Sequence, residues 1–239
     1  TSQQPQAMLQ REALIGRQLS HPNLAPVLDW QLKDQPFLVM PRIQGCTLRA
    51  VLESRRRNFG CLIGAAKFLT QSVWTIRQVS SALAALHAAG WLHGDVKPEN
   101  ILLGSQGHAT LIDLGLARKL GSRECQAGEV LAGTWAYLSP ESFLTAATLT
   151  SASDIYSLGV LLYELLIGQP LFENSDPTEL ALCHLREVPP DVREAALDVP
   201  SPLARLVARM LAKEPLRRPT AGDVARQLSR LEIELMGAV

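Results

Sequence analysis

Two short motifs constrain the fold of this chain of 239 residues more than any other part of its sequence. The first is HGDVKPENILL at residues 93–103, and the second is LIDLG at residues 111–115. Each motif places charged or amide side chains next to a run of Ile and Leu. We expect a mainly helical scaffold to bring four of these polar side chains into one cradle: Asp95, Lys97, Asn100 and Asp113.

These four residue types supply what the transfer of a phosphoryl group requires. That reaction needs positioned charge more than covalent help from the protein. Asp95 would accept or orient the proton of an attacking hydroxyl, and Lys97 can reach the transferring phosphate. Asn100 and Asp113 offer the hard oxygen ligands that magnesium prefers. Any one of these residues alone is more often a turn or surface residue, so the prediction rests on their combination.

The pattern H-x-D-x-K-P-x-N-I-L followed by D-x-G resembles the catalytic loop and magnesium loop of the protein kinase family. Residues 133–141, GTWAYLSPE, are similar to the end of the family's activation segment. In that resemblance Thr134 lies beside the catalytic Asp and Lys, which favours serine/threonine over tyrosine substrates. Asp154 begins a match to D-x-W-S-L-G, whose aspartate holds the catalytic-loop backbone. Arg218 matches the arginine that pairs with the carboxylate corresponding to Glu141.

The resemblance covers nearly the whole chain and also implies a nucleotide pocket. Glu12 lies ahead of His21-Pro-Asn as the helix-C glutamate does in bacterial kinases of this type. Met40 would limit the back of the adenine pocket, the hinge backbone near Ile43 would meet adenine, and Leu102 would form part of the apolar floor. Ordinary core packing is the alternative for Met40 and Leu102. The implied cofactors are ATP and Mg²⁺. The residues expected at ATP are Glu12, Met40, Ile43, Lys97, Asn100, Leu102 and Asp113, with Asn100 and Asp113 as metal ligands.

The hydrophobic pattern predicts a small mixed segment followed by a mostly helical lobe. The resemblance implies, more specifically, an α+β, protein-kinase-like two-lobe fold with a truncated small lobe and a mainly α-helical large lobe. Residues 8–19 show a helical pattern, and two extended runs at 24–32 and 36–43 predict a hairpin. Helical patterns dominate from Thr47 onward, including an apolar stripe over 74–89.

The resemblance also implies a division of the chain into two parts. Residues 1–43 are expected to be the remnant of the N-terminal lobe, with helix C, strands 4 and 5 and the start of the hinge. Residues 44–239 are expected to form the C-terminal catalytic lobe.

The chain departs from the family pattern at several positions. Neither a G-x-G-x-x-G loop nor a V-A-I-K lysine occurs before Glu12, and we expect both to lie ahead of Thr1, since the chain does not begin with Met. Gly94 replaces the arginine of H-R-D, which makes control through a phosphorylated activation loop unexpected. Gly16 stands where the family has an apolar side chain, and a glycine there is expected to weaken both helix and packing.

The composition argues against a nucleic-acid-binding, membrane-spanning or disulfide-stabilised protein. Lys+Arg and Asp+Glu both total 23, so no global field directs the chain toward nucleic acid or an anionic membrane. The most apolar stretch, residues 155–167, is interrupted by Glu164 and is shorter than the roughly 20 residues of a membrane span. The cysteines form no C-x-x-C pair, which favours a reducing cytoplasm; they are Cys46, Cys61, Cys125 and Cys183. We expect a monomer or a weak dimer.

Three functions remain open on the sequence alone. The first is the catalytic domain of a serine/threonine kinase that phosphorylates proteins, impaired as this fragment. The second is a pseudokinase that serves as a scaffold or binding module, against which the full set of four polar residues argues. The third is a small-molecule phosphotransferase that also uses an H-G-D opening, against which Lys97-Pro98 and residues 133–141 argue.

Overall fold

The computed structural model describes residues 3–33, 35–57, 65–121, 135–144 and 148–237. A small N-terminal segment comes first. It consists of α1 (Gln3–Gln18) and of strands β1 (Asp29–Gln31) and β2 (Phe37–Val39). The two strands pair antiparallel with Trp30 opposite Leu38, which confirms the predicted hairpin. The predicted helix is also confirmed, and it begins earlier than its apolar pattern does.

Helices dominate the rest of the chain, as predicted. They are α2 (Leu48–Arg57), α3 (Ala65–Ala88), α4 (Ser151–Ile167), α5 (Pro177–Arg186), α6 (Val192–Ala195), α7 (Ser201–Met210) and α8 (Ala221–Gly237). Helix α3 packs against both α4 and α8. Its predicted stripe, which includes Ile76, Val79 and Leu83, is completely buried. Among the described residues, no helix combines the length and the apolar character needed to cross a membrane.

Short strands frame the two sequence motifs. Strands β3 (Cys46–Thr47), β5 (Ile101–Leu103) and β6 (Ala109–Leu111) form one antiparallel sheet with β5 in the middle. Strands β4 (Trp91–Leu92) and β7 (Arg118–Lys119) form a second antiparallel pair. The first motif therefore runs from the end of β4 into β5, and the second runs from the end of β6 toward β7. Four 3₁₀ turns complete the described elements: Pro98–Asn100, Trp135–Tyr137, Pro140–Phe143 and Pro215–Arg217.

Local sequence signals fix the ends of the long helices. Thr150 and Ser153 form a reciprocal capping box at the start of α4, and Gly168 ends that helix in a left-handed conformation with φ 83°. Thr220 and Asp223 likewise exchange hydrogen bonds at the start of α8. These caps satisfy main-chain groups that a helix end would otherwise leave unpaired.

The small segment is anchored to the helical part by residues 23–25. The Asn23 side-chain amide donates to Gln78 Oε1 at 3.1 Å and to the Ala109 carbonyl at 2.8 Å. The Asn23 carbonyl accepts from Leu111 N, and Ala25 N donates to the Leu111 carbonyl. Because Leu111 precedes the second motif, this anchor sets the small segment directly beside it.

Gly16 has a different role from the expected one. An added Cβ at Gly16 would lie 2.6 Å from the Cβ of Val27, which is closer than real atoms approach. The expectation that glycine weakens packing at this position is therefore wrong, because its missing side chain is what allows Val27 to lie against α1. The neighbouring Ile15 is buried in a small cluster with Leu86 and Leu114, so α1 packs against the second motif.

Candidate active site

Asp95 lies at the centre of the site. Its side chain is buried, and its Oδ2 lies 2.7 Å from Lys97 Nζ. The side-chain amide of Asn100 donates to Asp95 Oδ2 and to the Asp95 carbonyl, both at 2.9 Å. Asp95 Oδ1 is buried and has no hydrogen-bond partner among the described residues. Since buried carboxylate oxygens are normally paired, Asp95 Oδ1 is well suited to receive a donor from a bound substrate.

Asp154 fixes the main chain on which Asp95 stands. Its Oδ2 accepts from His93 N at 2.8 Å, and its Oδ1 accepts from Gly94 N at 2.9 Å. The His87 ring lies 2.8 Å from the same Oδ2. Burial alone would raise the pKa of Asp154, but the hydrogen bond and charge of His87, together with His93 and Gly94, bring it below its usual value. The predicted contact between Asp154 and the loop backbone is confirmed.

The second motif is joined to the first through main-chain hydrogen bonds. Ile112 N donates to the Asn100 carbonyl at 2.9 Å, and the His93 ring Nε2 lies 3.3 Å from the Ile112 carbonyl. Asp113 follows in a left-handed conformation with φ 64°, which residues other than glycine rarely adopt. Its Oδ1 accepts from Gly115 N at 3.1 Å.

The donors present suit a magnesium ion. The Asn100 amide nitrogen is engaged by Asp95, so the amide oxygen is the atom of Asn100 suited to a cation. Asp113 supplies a carboxylate, and the residue before it, Ile112, is hydrogen-bonded to the Asn100 carbonyl. Magnesium is commonly bound by one or two carboxylates together with substrate phosphates and water. Asn100 and Asp113 therefore fit the metal that the sequence implies.

Glu12 reaches this region from α1. Its Oε1 accepts from Leu114 N at 3.3 Å. Burial raises the pKa of the Glu12 carboxyl, the Leu114 hydrogen bond works against this rise, and the nearby charge of Asp113 adds to it. Two carboxylates thus lie close to each other beside the second motif, which is a costly arrangement unless a cation joins them.

The remaining predicted residues are Thr134 and those expected to line an adenine pocket. Met40 and Ile43 lie on the segment between β2 and β3 and are partly buried, as is Leu102 in β5, where it pairs with Thr47 and Thr110. Their place in an adenine pocket stays a prediction. Thr134 lies outside the described residues, as do Cys61 and Cys125.

The predicted ion pair between Glu141 and Arg218 is present and buried. Arg218 Nη1 and Nη2 donate to the two carboxylate oxygens at 2.7 and 2.8 Å. Ser153 Oγ also donates to Glu141 Oε1 at 2.8 Å. Burial acts to raise the pKa of Glu141, but the hydrogen bonds and charge of Arg218 hold it below its usual value.

Two arginines of the site were missed by the sequence interpretation. Arg49 of α2 pairs with Glu99 at 2.8 Å and donates to Tyr137 Oη at 2.8 Å, which links the first motif to residues 135–137. Arg11 of α1 donates to the Gly115 carbonyl at 2.7 Å. The only available signal was position, since Arg11 directly precedes Glu12 and Glu99 lies within the first motif.

Comparison with known proteins gives consistent results. The family described as protein kinase domain matches residues 1–228. The serine/threonine-protein kinase PknD of Mycobacterium tuberculosis is 35% identical over 222 residues, which cover 92% of this chain and 32% of PknD. PkaA of Streptomyces coelicolor, also named a serine/threonine-protein kinase, is 37% identical over 222 residues, covering 91% of this chain and 38% of PkaA. A probable serine/threonine-protein kinase PknB of Lactococcus lactis is 31% identical over 215 residues, covering 90% and 33%. The chain spans about a third of the length of these relatives.

Proposed function

Because this chain belongs to the protein kinase domain family and is a serine/threonine kinase catalytic domain of the Hanks type, with bacterial relatives, we propose that the protein containing it transfers the γ-phosphate of ATP to serine or threonine hydroxyls of other proteins. ATP and Mg²⁺ are the general cofactors of this family. The buried cluster of Asp95, Lys97 and Asn100 is the observation that carries the proposal.

In this proposal, Asp95 receives the substrate. Its Oδ1, which has no partner in the part of the chain that the structure describes, accepts the hydrogen bond of the attacking hydroxyl, while Oδ2 stays bound to Asn100 and Lys97. Asp95 is therefore held in one orientation before the substrate arrives, which is how a protein contributes to a reaction that consists mainly of positioning. Asp154 supports this orientation from behind by binding the main chain at His93 and Gly94.

Lys97 provides the positive charge nearest to Asp95. Its ammonium group lies 2.7 Å from Asp95 Oδ2, and in this proposal it would stabilise negative charge on the transferring phosphate. Asn100 and Asp113 would hold Mg²⁺, which, when bound, neutralises charge on the phosphates. Glu12, Met40, Ile43 and Leu102 would complete the nucleotide pocket, and Thr134 would lie beside Asp95 and Lys97 on the substrate side.

The proposal also includes the division of the chain into lobes, its compartment and its oligomeric state. Residues 1–43 would be the small-lobe part and 44–239 the catalytic lobe, acting in the cytoplasm as a monomer or weak dimer.

The absence of a G-x-G-x-x-G loop from these 239 residues favours weak phosphotransfer by the chain on its own. A pseudokinase that binds proteins without transferring phosphate is the second candidate, and this same absence is the observation that favours it.

The experiment is a phosphotransfer assay on the full-length product of the gene that encodes this chain. The protein is incubated with radiolabelled ATP, Mg²⁺ and a mixture of peptides that contain serine, threonine or tyrosine. We expect label on serine and threonine but not on tyrosine, and at least about 10³-fold less label with Asp95→Asn. A folded wild-type protein that labels no acceptor would favour the pseudokinase. Equal labelling by wild type and Asp95→Asn would contradict the role assigned to Asp95.

A further inference from the structure

Helix α1 holds residues 113–115, here called the metal loop, at three points. Arg11 Nη1 donates to the Gly115 carbonyl at 2.7 Å, and Glu12 Oε1 accepts from Leu114 N at 3.3 Å. Met8 packs against Gly115 so closely that an added Cβ there would lie 3.0 Å from Met8 Cε. These three contacts come from one face of α1, since the residues involved are spaced three and four apart along a helix.

The two hydrogen bonds fix the main chain that follows Asp113. One engages an N–H group and the other a C=O group of adjacent residues, so they oppose rotation of the chain in either direction. Asp113 itself has φ 64°, a conformation that a non-glycine residue keeps only when its surroundings hold it. The Gly115 N–H also donates to Asp113 Oδ1, so a shift of Gly115 would turn the carboxylate.

We propose that Arg11 is a positioning residue for Asp113: through the Gly115 carbonyl it couples the place of α1 to the direction of the Asp113 carboxylate. The inference rests on the proposed function, because it gives Asp113 the role of metal ligand. The Arg11 hydrogen bond is the shorter of the two α1 hydrogen bonds, at 2.7 Å against 3.3 Å for the Glu12 bond. Arg11 touches no reacting group and acts only through the metal loop.

The neighbouring charges explain why an arginine suits this position. Glu12 and Asp113 bring two carboxylates to the same region, and the charge of Asp113 acts on the Glu12 carboxyl. Arg11 directly precedes Glu12 in α1. Its guanidinium adds positive charge to this region while it binds the neutral Gly115 carbonyl. Its planar group also keeps its direction better than the flexible ammonium of a lysine.

The test uses variants of the full-length protein. Arg11→Met removes the donor and keeps much of the side-chain length, while Arg11→Lys retains a donor. Arg17→Met is the matched control, because Arg17 lies on the same helix, carries the same charge and packs over the Trp30 ring at 5.3 Å. Two quantities are measured: amide hydrogen exchange of the peptide spanning the metal loop without nucleotide, and the Mg²⁺ concentration that gives half the maximal rate.

We expect Arg11→Met to speed exchange of the metal loop and to raise the half-saturating Mg²⁺ concentration, each by about tenfold, as loss of one charge-assisted hydrogen bond predicts. The maximal rate at saturating Mg²⁺ should fall much less. Arg11→Lys should restore part of both quantities, and Arg17→Met should match wild type.

Three outcomes would decide against the inference or separate it from the proposed function. Arg11→Met behaving like Arg17→Met in both measurements would overturn it. Faster exchange across the whole chain, with a lowered melting temperature, would show that Arg11 only supports the fold and would also overturn it. If wild type transfers no phosphate, the proposed function fails, whereas the exchange measurement still decides whether Arg11 orders the metal loop.

Discussion

Arg218 binds both carboxylate oxygens of Glu141, at 2.7 and 2.8 Å, and the two side chains are almost completely buried. The pair joins the 3₁₀ turn Pro140–Phe143 to the loop that precedes α8. Arg218 also donates to the carbonyls of Ala152, Ala212 and Lys213. One side chain thus connects the start of α4, the residues just after α7 and the 3₁₀ turn Pro140–Phe143.

Removing one partner of this ion pair should destabilise the protein strongly. We expect Arg218→Met to lower the free energy of unfolding by about 3–5 kcal/mol, because it leaves the Glu141 carboxylate buried without its cation. Arg217→Met is the control, since Arg217 pairs with Glu214 at the surface, and it should change stability by about 0.5 kcal/mol or less. Urea unfolding followed by circular dichroism gives both values. Similar losses for the two variants would contradict the importance of the buried pair.

Stability should fall in acid because of Asp154. The folded-state pKa of Asp154 lies below its unfolded value of 3.8, so its contribution is present above that pH and is lost as the pH falls through the folded-state value. Asp154→Asn should therefore lower the melting temperature at pH 7 and flatten the decline below about pH 4. Glu141 shifts in the same direction and will leave a residual slope. A wild-type melting temperature that rises between pH 4 and pH 3 would exclude this linkage.

Glu12 should show the opposite dependence. Its folded-state pKa is raised above 4.5, so the stability associated with its protonated form is present at low pH and is lost as the pH rises through the folded-state value. We expect Glu12→Gln to raise the melting temperature at pH 7 and to leave it unchanged at pH 4, because a glutamine can still accept from Leu114 N. The same variant should reduce phosphotransfer. No gain in melting temperature at pH 7 would mean that Glu12 is already balanced by a cation.

Gly94 should not tolerate even alanine. It has φ 77°, and an added Cβ would lie 3.0 Å from the Leu116 carbonyl oxygen. We expect Gly94→Ala to cost about 1–2 kcal/mol from the left-handed conformation and more from this contact. Gly90→Ala is the matched control, because Gly90 has φ 83° and open space at its Cβ position. Chemical denaturation of both variants separates the two effects. A smaller loss for Gly94→Ala than for Gly90→Ala would contradict the steric argument.

The residues close to one another in sequence were the easiest to predict. Asp95, Lys97 and Asn100 fall within six positions, and a short loop closed by a 3₁₀ turn leaves few ways to arrange them. Glu141 and Arg218 are far apart in sequence, and their pairing was predicted from the family resemblance. The pairing is also expected physically, because a buried charge needs a partner of opposite sign. Helices α3 and α4 were predicted because their apolar residues recur at helical spacing or fill the whole segment.

Other contacts could not be predicted from local patterns. Arg11 and Gly115 are 104 positions apart, and a main-chain carbonyl carries no sequence signature. Arg49 and Glu99 have residue types that are common on solvated surfaces, so nothing in their spacing indicates a contact. At Gly16 the sequence revealed a missing side chain, but only the fold reveals that Val27 occupies its place.

Gln78 is a central part of the anchor that holds the small segment. Its Oε1 accepts from Asn23 and from Ala109 N, and its Nε2 donates to the Gly107 carbonyl. An amide in the middle of α3 thereby sets the spacing between the small segment and the strand that leads to Asp113. A glutamate at position 78 would bring a carboxylate oxygen against the carbonyl oxygens of Gly107 and Trp74, to which Gln78 Nε2 donates at 2.9 and 3.5 Å, and would disturb the anchor from inside the helical part of the protein.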